Sequence, residues 1–156
     1  MRFAPLAIAL VATALPLASQ AQSTAPDADE QALLKQVQTD RRAVYAQNLG
    51  LTDAESTKFW PIYDEYEKKR QTLEERYIAM VNDFAAKYDT LTDDQAATIL
   101  DERLEIERKQ LELKDEYTRK IAKVLPGKKA LRYAQLESRI QNITRRNVYS
   151  LIPLAR

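Results

Sequence analysis

The sequence has no cysteine, no histidine and only two glycines among its 156 residues. Without cysteine it can form no disulfide, thiolate nucleophile or iron–sulfur cluster, and without histidine it has no imidazole base or histidine metal ligand. Glycine-rich nucleotide loops need glycine at several fixed offsets, which two glycines do not supply. These absences argue against most enzyme classes and against a cofactor or metal, so we expect a non-enzymatic protein.

The first 21 residues have the pattern of a secretory signal peptide. Met1-Arg2 is a short positive segment, residues 3–17 are almost wholly apolar, and Ser19-Gln20-Ala21 offers small residues at the cleavage positions. The apolar run is shorter than the roughly 20 residues that span a bilayer, which disfavours the alternative of a membrane anchor. We therefore predict cleavage after Ala21 and export to the periplasm, with no transmembrane span in the mature chain.

Charge is divided unevenly along the mature chain. Residues 22–116 carry 13 basic and 22 acidic side chains, whereas residues 117–156 carry 10 basic side chains and only Glu137 as an acid. Such a division favours self-complementary packing or a partner of opposite charge. Export makes nucleic acid an unexpected partner. Anionic lipid at the membrane surface, an acidic client or sensor, a second subunit, and a merely solvated basic face remain open.

Residues 22–29 are expected to be a flexible leader, and residues 30–156 one all-helical domain. The spacing of apolar residues predicts four helices, at about 29–49, 53–88, 93–124 and from 128 onward. The second and third would each be about 50 Å long and would fold back on each other as an antiparallel hairpin. Because a thin hairpin buries little surface, we predict an elongated all-α fold that pairs as a dimer or binds a client.

The second helix carries a seam of aromatic and apolar residues. Steps of four and three residues place Phe59, Tyr63, Tyr66, Leu73, Tyr77, Met80 and Phe84 on one side, with Arg70 as the exception. The tyrosines are either packed in such seams or form an adaptable binding surface. Pro61 predicts a kink or break near Trp60. The apolar end of the chain, residues 149–156 with Pro153, is predicted to be an extended docking tail.

Acidic residues crowd the third helix: Glu102, Glu105, Glu107, Glu112 and Glu116. A carboxylate-bridged di-iron site would need Glu-x-x-His partners, which this sequence cannot supply. We interpret the acids as a solvated helix face. On this helix, three acidic residues each lie four positions before a basic residue. This spacing predicts the ion pairs Glu105–Lys109, Asp115–Arg119 and Glu116–Lys120.

A five-residue motif occurs twice. Leu51-Thr52-Asp53-Ala54-Glu55 and Leu91-Thr92-Asp93-Asp94-Gln95 each open a helix, and each has the Thr-x-x-Glu/Gln spacing of a capping box. With the signal peptide and the all-helical pattern, they resemble the LTXXQ-motif proteins of the bacterial envelope, the CpxP/Spy family. The resemblance covers roughly residues 51–143. The first copy departs from it because Glu55 replaces glutamine, which keeps the capping role and adds a charge.

The resemblance implies a small exported helical protein that forms cradle-shaped antiparallel dimers. That family includes an ATP-independent periplasmic chaperone and an accessory inhibitor of an envelope-stress sensor kinase. We therefore expect reversible binding of unfolded or misfolded envelope proteins without nucleotide, as part of an envelope stress response. The alternative is an accessory regulatory subunit that docks on the periplasmic sensor domain of a membrane kinase.

The candidate binding residues are the two motifs, the aromatic pair beside the first motif, and part of the basic segment. The alternative for the motif residues is that they only cap helices. The full set is Leu51, Thr52, Glu55, Phe59, Trp60, Leu91, Thr92, Gln95, Lys128, Lys129, Arg132, Arg145 and Arg146.

Overall fold

The computed structural model describes residues 28–149 and 152–155, and this part of the chain is all-α, as predicted. The signal peptide predicted for residues 1–21, and the leader up to residue 27, lie outside the described residues. None of the described helices is long and apolar enough to cross a membrane. The helices are α1 (Ala28–Leu49), α2 (Asp53–Lys87), α3 (Asp93–Ala122) and α4 (Gly127–Tyr149), with a short 3-10 turn at Tyr88–Thr90.

Helix α1 bends sharply at Asp40, where the backbone leaves the helical region (φ −156°, ψ 92°). The Asp40 carboxylate accepts a hydrogen bond from the Ala43 amide at 2.9 Å and so acts as an N-cap for the second half of the helix. The Gln36 side chain donates to that of Gln47 at 2.7 Å, although these residues would lie about 16 Å apart in a straight helix. The two halves therefore fold toward each other, a bend that the sequence reading did not predict.

Helices α2 and α3 form the predicted antiparallel hairpin, and each begins at a capping box. The Thr52 hydroxyl accepts from the Glu55 amide at 3.3 Å, and the Glu55 carboxylate accepts from the Thr52 amide at 2.8 Å. Thr92 and Gln95 repeat both bonds at 3.3 and 3.1 Å. Both predicted boxes are confirmed, and they lie at opposite ends of the hairpin, about 50 Å apart.

Helix α2 continues through Pro61 without interruption, so the predicted break near Trp60 is absent. The proline is exposed, which places its ring on the solvent side of the helix. Thr57, whose carbonyl would have accepted the missing hydrogen bond, is exposed as well. Water can therefore take the place of the proline's absent N–H.

The core lies at one end of the hairpin, where α1 and α4 pack on α2 and α3. Its largest members are aromatic: Tyr45 packs on Tyr63 with ring centroids 4.9 Å apart, and Phe59 packs on Tyr133 at 5.9 Å. A smaller cluster of Tyr66, Leu113 and Tyr117 continues it along the hairpin. We call this end, made of α1, α4 and residues 53–70 and 106–122, the bundle. Residues 71–105, which extend beyond it, are the arm.

Helix α4 turns a different side to the core than its aliphatic residues suggest. Leu131 is one of the aliphatic residues of this helix, yet it is 60% exposed. The buried side of the helix includes one aromatic and one acidic residue, so the aliphatic residues alone do not identify it. Its buried residues are Ala130, Tyr133, Glu137, Ile140 and Ile143.

Candidate functional site

The bundle has a buried carboxylate at its centre. The Glu137 side chain is fully buried, and both of its oxygens accept hydrogen bonds from the Arg41 guanidinium, at 2.7 and 2.8 Å. The Tyr66 hydroxyl donates at 2.6 Å and the Gln141 amide at 3.1 Å, and the Tyr45 hydroxyl donates to the other oxygen. Because these donors come from α1, α2 and α4, the carboxylate ties three helices together.

The charges around Glu137 are balanced. Burial alone would lower the pKa of Arg41, but Glu137 and the other negative groups that face it raise that pKa overall. Burial, and then the negative charge of Glu137, raise the pKa of Tyr45 and Tyr66, so both hydroxyls stay protonated donors. With its acceptor positions occupied by four side chains, Glu137 holds helices in place and is not available as a general base.

A cavity of about 100 Å³ opens beside this centre, between α2, α3 and α4. Arg41 and Tyr66 of the buried centre are among the residues that line it, and it has room for a few water molecules. Arg70, the exception in the predicted seam, also lines it and pairs with Glu67 at 2.7 Å and with Glu74. The seam therefore changes from packed aromatics to an ion-paired wall where the bundle ends.

The arm leaves its apolar residues partly exposed. The predicted seam positions Leu73, Tyr77, Met80 and Phe84 all lie here, yet none of residues 71–105 is buried. Two helices alone cover only the sides of the seam that face each other. A row on the outer side of α3 is more open still, since Leu100 and Leu104 are each 54% exposed. The arm thus presents apolar surface that nothing in the described chain covers completely.

Ion pairs run along α3 from the end of the arm into the bundle. The three predicted pairs are confirmed, with distances of 3.0 Å for Glu105–Lys109, 2.9 Å for Asp115–Arg119 and 2.7 Å for Glu116–Lys120. Hydrogen bonds from Arg108 and Lys109 lower the pKa of Glu105 to about 2. Within the described residues, no three acidic side chains are placed to hold a metal ion.

The first motif lies at the base of the bundle. Gly50, in the left-handed region at φ +56°, ends α1 and leads into Leu51, which packs against the core. Lys129 of α4 reaches this turn and donates to the Gly50 carbonyl at 2.6 Å and to the Glu55 carboxylate at 2.5 Å. The charge that Glu55 adds to the motif therefore forms an ion pair. It fastens α4 to the start of α2, and it engages Lys129 within the chain.

The aromatic pair beside this motif belongs to the packed bundle. Phe59 is fully buried in the core, where no partner can reach it in this conformation. Trp60 is partly buried and lies under the guanidinium of Arg42, 4.0 Å from the ring centroid. Arg42 in turn pairs with Asp64, so a partner that approached this face of the Trp60 ring would have to displace Arg42.

The second motif lies at the tip of the arm. Thr92 is exposed and Leu91 and Gln95 are partly buried there, far from every candidate residue of the first motif. The structure therefore does not bring the two motifs into one site within a single chain.

The basic candidates are divided between two ends of α4. Lys128 and Arg132 are exposed near its start and share a helix face with Arg139. These three cations have no ion pair among the described residues, and we call them the basic stripe. Arg145 and Arg146 are exposed at the far end, where Arg145 donates to Gln110 at 3.2 Å.

Residues 152–155 meet the tip of the arm. The Tyr88 hydroxyl donates to the backbone carbonyl of Leu154 at 2.9 Å. Residues 153–155 are exposed and Ile152 is half-buried. The non-helical course of residues 152–155 agrees with the predicted extended tail, whereas Tyr149 still belongs to α4. Residues 150, 151 and 156 of that prediction lie outside the described residues, and we call residues 152–155 the tail.

Sequence reasoning missed Glu137 and Arg41 as the centre of the bundle. A signal was present, because Glu137 is the one acid of residues 117–156 and lies four residues after Tyr133 and three before Ile140. An acid on the apolar side of a helix indicates a buried partner.

No protein-family model matches the sequence, and neither a curated protein nor a solved structure is significantly similar to it. The resemblance to the LTXXQ-motif proteins therefore depends on the two motifs, on the pattern of the first 21 residues and on the helical spacing.

Proposed function

We propose that this is an exported, non-enzymatic envelope protein of the LTXXQ type that binds unfolded or misfolded proteins reversibly and without nucleotide. The observation that carries the proposal is the arm. Its apolar seam continues that of the bundle, but every one of residues 71–105 is at least partly exposed. Monomeric soluble proteins rarely leave a long contiguous apolar surface open unless something binds there.

The chemistry of the arm suits clients without a fixed sequence. Partly exposed Tyr77, Met80 and Phe84 offer aromatic and thioether surface that adapts to different side chains. The surrounding ion pairs, such as Arg76–Glu102 at 2.5 Å, keep the arm soluble between binding events. The packed bundle serves as the rigid support in this proposal.

A second copy of the chain is part of the proposal. The arm carries exposed acids such as Asp93, Asp94 and Asp101, whereas the basic stripe lies on the bundle. An antiparallel arrangement would place the arm of one protomer beside the bundle of the other, so that opposite charges meet. Sedimentation of the mature chain at low and high salt tests this arrangement, and a monomer at all concentrations would contradict it.

An aggregation assay tests client binding. The mature chain, at near-stoichiometric amounts, should suppress the aggregation of an unrelated thermally unfolded protein. Leu100→Asp with Leu104→Asp should abolish most of that suppression while leaving the helix content intact, because both side chains are already more than half exposed. Leu131→Asp is the control, since Leu131 is 60% exposed, slightly more than the two arm residues, but lies on the bundle. Equal loss in both variants, or none in either, would contradict a client site on the arm.

The alternative function, docking on a kinase sensor domain, is favoured by the basic stripe. Three cations on one helix face, without an ion pair in the part of the chain that the structure describes, suit a fixed acidic partner more than a varied set of clients. Reversing Lys128, Arg132 and Arg139 to glutamate should slow association with such a partner and flatten its salt dependence between 0.1 and 1 M, where the Debye length falls from about 10 to 3 Å. Lys129 is left unchanged because it holds Glu55. A triple variant that suppresses aggregation normally but no longer binds the sensor domain would identify the regulatory role.

A further inference from the structure

The tip of the arm holds an extended segment by its backbone. Tyr88 donates its hydroxyl hydrogen bond to the main-chain carbonyl of Leu154, while the Leu154 side chain is 88% exposed. Such a contact recognises a backbone carbonyl, which every protein has, and does not depend on the identity of the side chain. The ring of Phe84 supports Tyr88 edge-on, with centroids 5.6 Å apart, so the hydroxyl is presented from an aromatic surface.

The bound segment has the character of an unfolded client. The tail is not helical, and it follows an otherwise helical chain with the apolar sequence Ile152-Pro153-Leu154-Ala155. Ile152 is half-buried, and the three residues after it are exposed. A competing extended segment can form the same backbone hydrogen bond with Tyr88 and so displace the tail.

We propose that the tip of the arm, around Phe84 and Tyr88, is a binding surface for extended apolar segments of other proteins, and that the chain's own tail is its resident occupant. The inference rests on the proposed function, because it names where and how that client surface works. A tail attached to the same chain has an effective concentration in the millimolar range, so it occupies the surface until a client displaces it. The tail thus sets a threshold for client binding.

A labelled peptide measures this competition. The probe is a fluorescein-labelled peptide with the sequence of residues 150–156, and binding is followed by anisotropy. A variant that ends after Tyr149 should bind it about tenfold more tightly than the full mature chain, which is the effect of a tail that is docked nine-tenths of the time. Equal affinity for the two chains would overturn the proposal.

Point variants in the full-length chain separate the tail's contacts from its mere presence. Ile152→Asp should raise the affinity for the probe as truncation does, because a charged side chain is disfavoured at this half-buried position of the docked tail. Leu154→Asp is the matched control and should change the affinity less than twofold, because only the backbone of Leu154 is bound. In the truncated chain, Tyr88→Phe should weaken probe binding by about three- to tenfold, the value of one hydrogen bond. A Leu154 variant that behaves like the Ile152 variant would contradict backbone recognition.

Two readouts distinguish failure of this inference from failure of the proposed function. If the truncated chain binds the peptide but neither chain suppresses aggregation, the proposed function fails and the tail site stands. If the full chain suppresses aggregation and truncation changes neither that activity nor peptide binding, the tail site fails and the function stands. Truncation that turns a dimer into a monomer would also overturn the proposal, because the tail would then belong to the surface of a second copy.

Discussion

The bundle and the arm share the two helices α2 and α3, yet similar residues are buried in the bundle and partly exposed in the arm. In the bundle, Phe59, Tyr63 and Tyr66 are at most 1% exposed, because α1 and α4 cover the seam that the hairpin leaves open. In the arm, Tyr77 and Phe84 occupy the same seam on the same helix and remain partly exposed. The seam alone therefore does not decide burial; the number of helices around it does.

The polar groups differ in the same way. The bundle buries an arginine–carboxylate centre in which every acceptor position of Glu137 is used, whereas the ion pairs of the arm lie at its surface. Buried charges are costly unless fully paired, but they fix one arrangement of the helices. Surface pairs contribute little to stability and allow movement. The comparison indicates a rigid support joined to an adaptable surface, and each experiment below would break or sharpen it.

The largest effect should come from Glu137→Ala. Removing the carboxylate leaves Arg41 buried without its main partner and also takes the acceptor of Tyr45 and Tyr66, which should lower the free energy of unfolding by about 5 kcal/mol. Urea unfolding followed by circular dichroism measures the loss. Glu75→Ala, an exposed acid of the arm, is the control and should change stability by less than about 0.5 kcal/mol. A loss below about 1 kcal/mol for Glu137→Ala would mean that the centre does not hold the bundle together.

The same substitution made in both regions should come next. Phe59→Ala leaves a cavity in the closed core and should cost about 3–4 kcal/mol, whereas Phe84→Ala removes a ring that is already partly in water and should cost about 1 kcal/mol. Both values come from the same denaturant titration. Equal losses at the two positions would mean that the arm is covered in solution, and a concentration-dependent loss for Phe84→Ala would identify a second copy as the cover.

Much of this architecture could be predicted from the sequence because it depends on local signals. The two capping boxes, Thr52 with Glu55 and Thr92 with Gln95, determine where α2 and α3 start. The regular steps of four and three residues from Phe59 to Phe84 determine the seam. The bend at Asp40 was missed because an aspartate inside an apolar pattern is common in exposed helices. It becomes a cap only when the packing of Leu33 and Val37 on the core requires the chain to turn.

The centre of the bundle depends on tertiary contacts that no spacing rule contains. Arg41 and Glu137 are 96 residues apart, and each looks like a surface charge when its own helix is considered alone. The same holds for Lys129, a candidate binding residue that pairs with Glu55 across 74 residues. The roles proposed for the candidate binding residues remain predictions.

The tyrosines of the bundle should differ in proportion to their hydrogen bonds. Tyr66→Phe removes a donor to the buried Glu137 carboxylate and should cost about 2 kcal/mol. Tyr63→Phe should cost nothing or should stabilise, because the Tyr63 hydroxyl is buried without a hydrogen-bond partner among the described residues. Thermal unfolding of the two variants makes the comparison. A loss of 1 kcal/mol or more for Tyr63→Phe would show that the hydroxyl has a partner in solution.

Alkaline pH should weaken the bundle. Burial raises the pKa of Tyr45, Tyr63, Tyr66 and Tyr133 above the usual 10, so the folded chain keeps protons that the unfolded chain releases. The stability from these groups is therefore fully present below pH 10 and is lost as the pH rises from 10 toward the folded values. Tyr63→Phe should make the free energy of unfolding fall less steeply with pH, by at most about 1.4 kcal/mol per pH unit above pH 10. An unchanged slope would mean that Tyr63 ionises equally in the folded chain.

The two capping boxes offer the finest test, because they are chemically alike and lie in different regions. Thr52→Ala and Thr92→Ala each remove one acceptor for a helix N-terminal amide, which ordinarily costs about 1 kcal/mol. At Thr52 the cap is joined through Glu55 to Lys129, so its loss should appear in full in the global free energy of unfolding. At Thr92 the cap holds only the tip of an arm without buried residues, so its loss should appear mainly as faster amide exchange around residues 88–99. Hydrogen exchange with denaturant titration measures both.

If Thr92→Ala lowers global stability as much as Thr52→Ala, the arm unfolds together with the bundle. If it abolishes client binding while local exchange stays unchanged, the second motif contacts the client directly and does more than cap its helix.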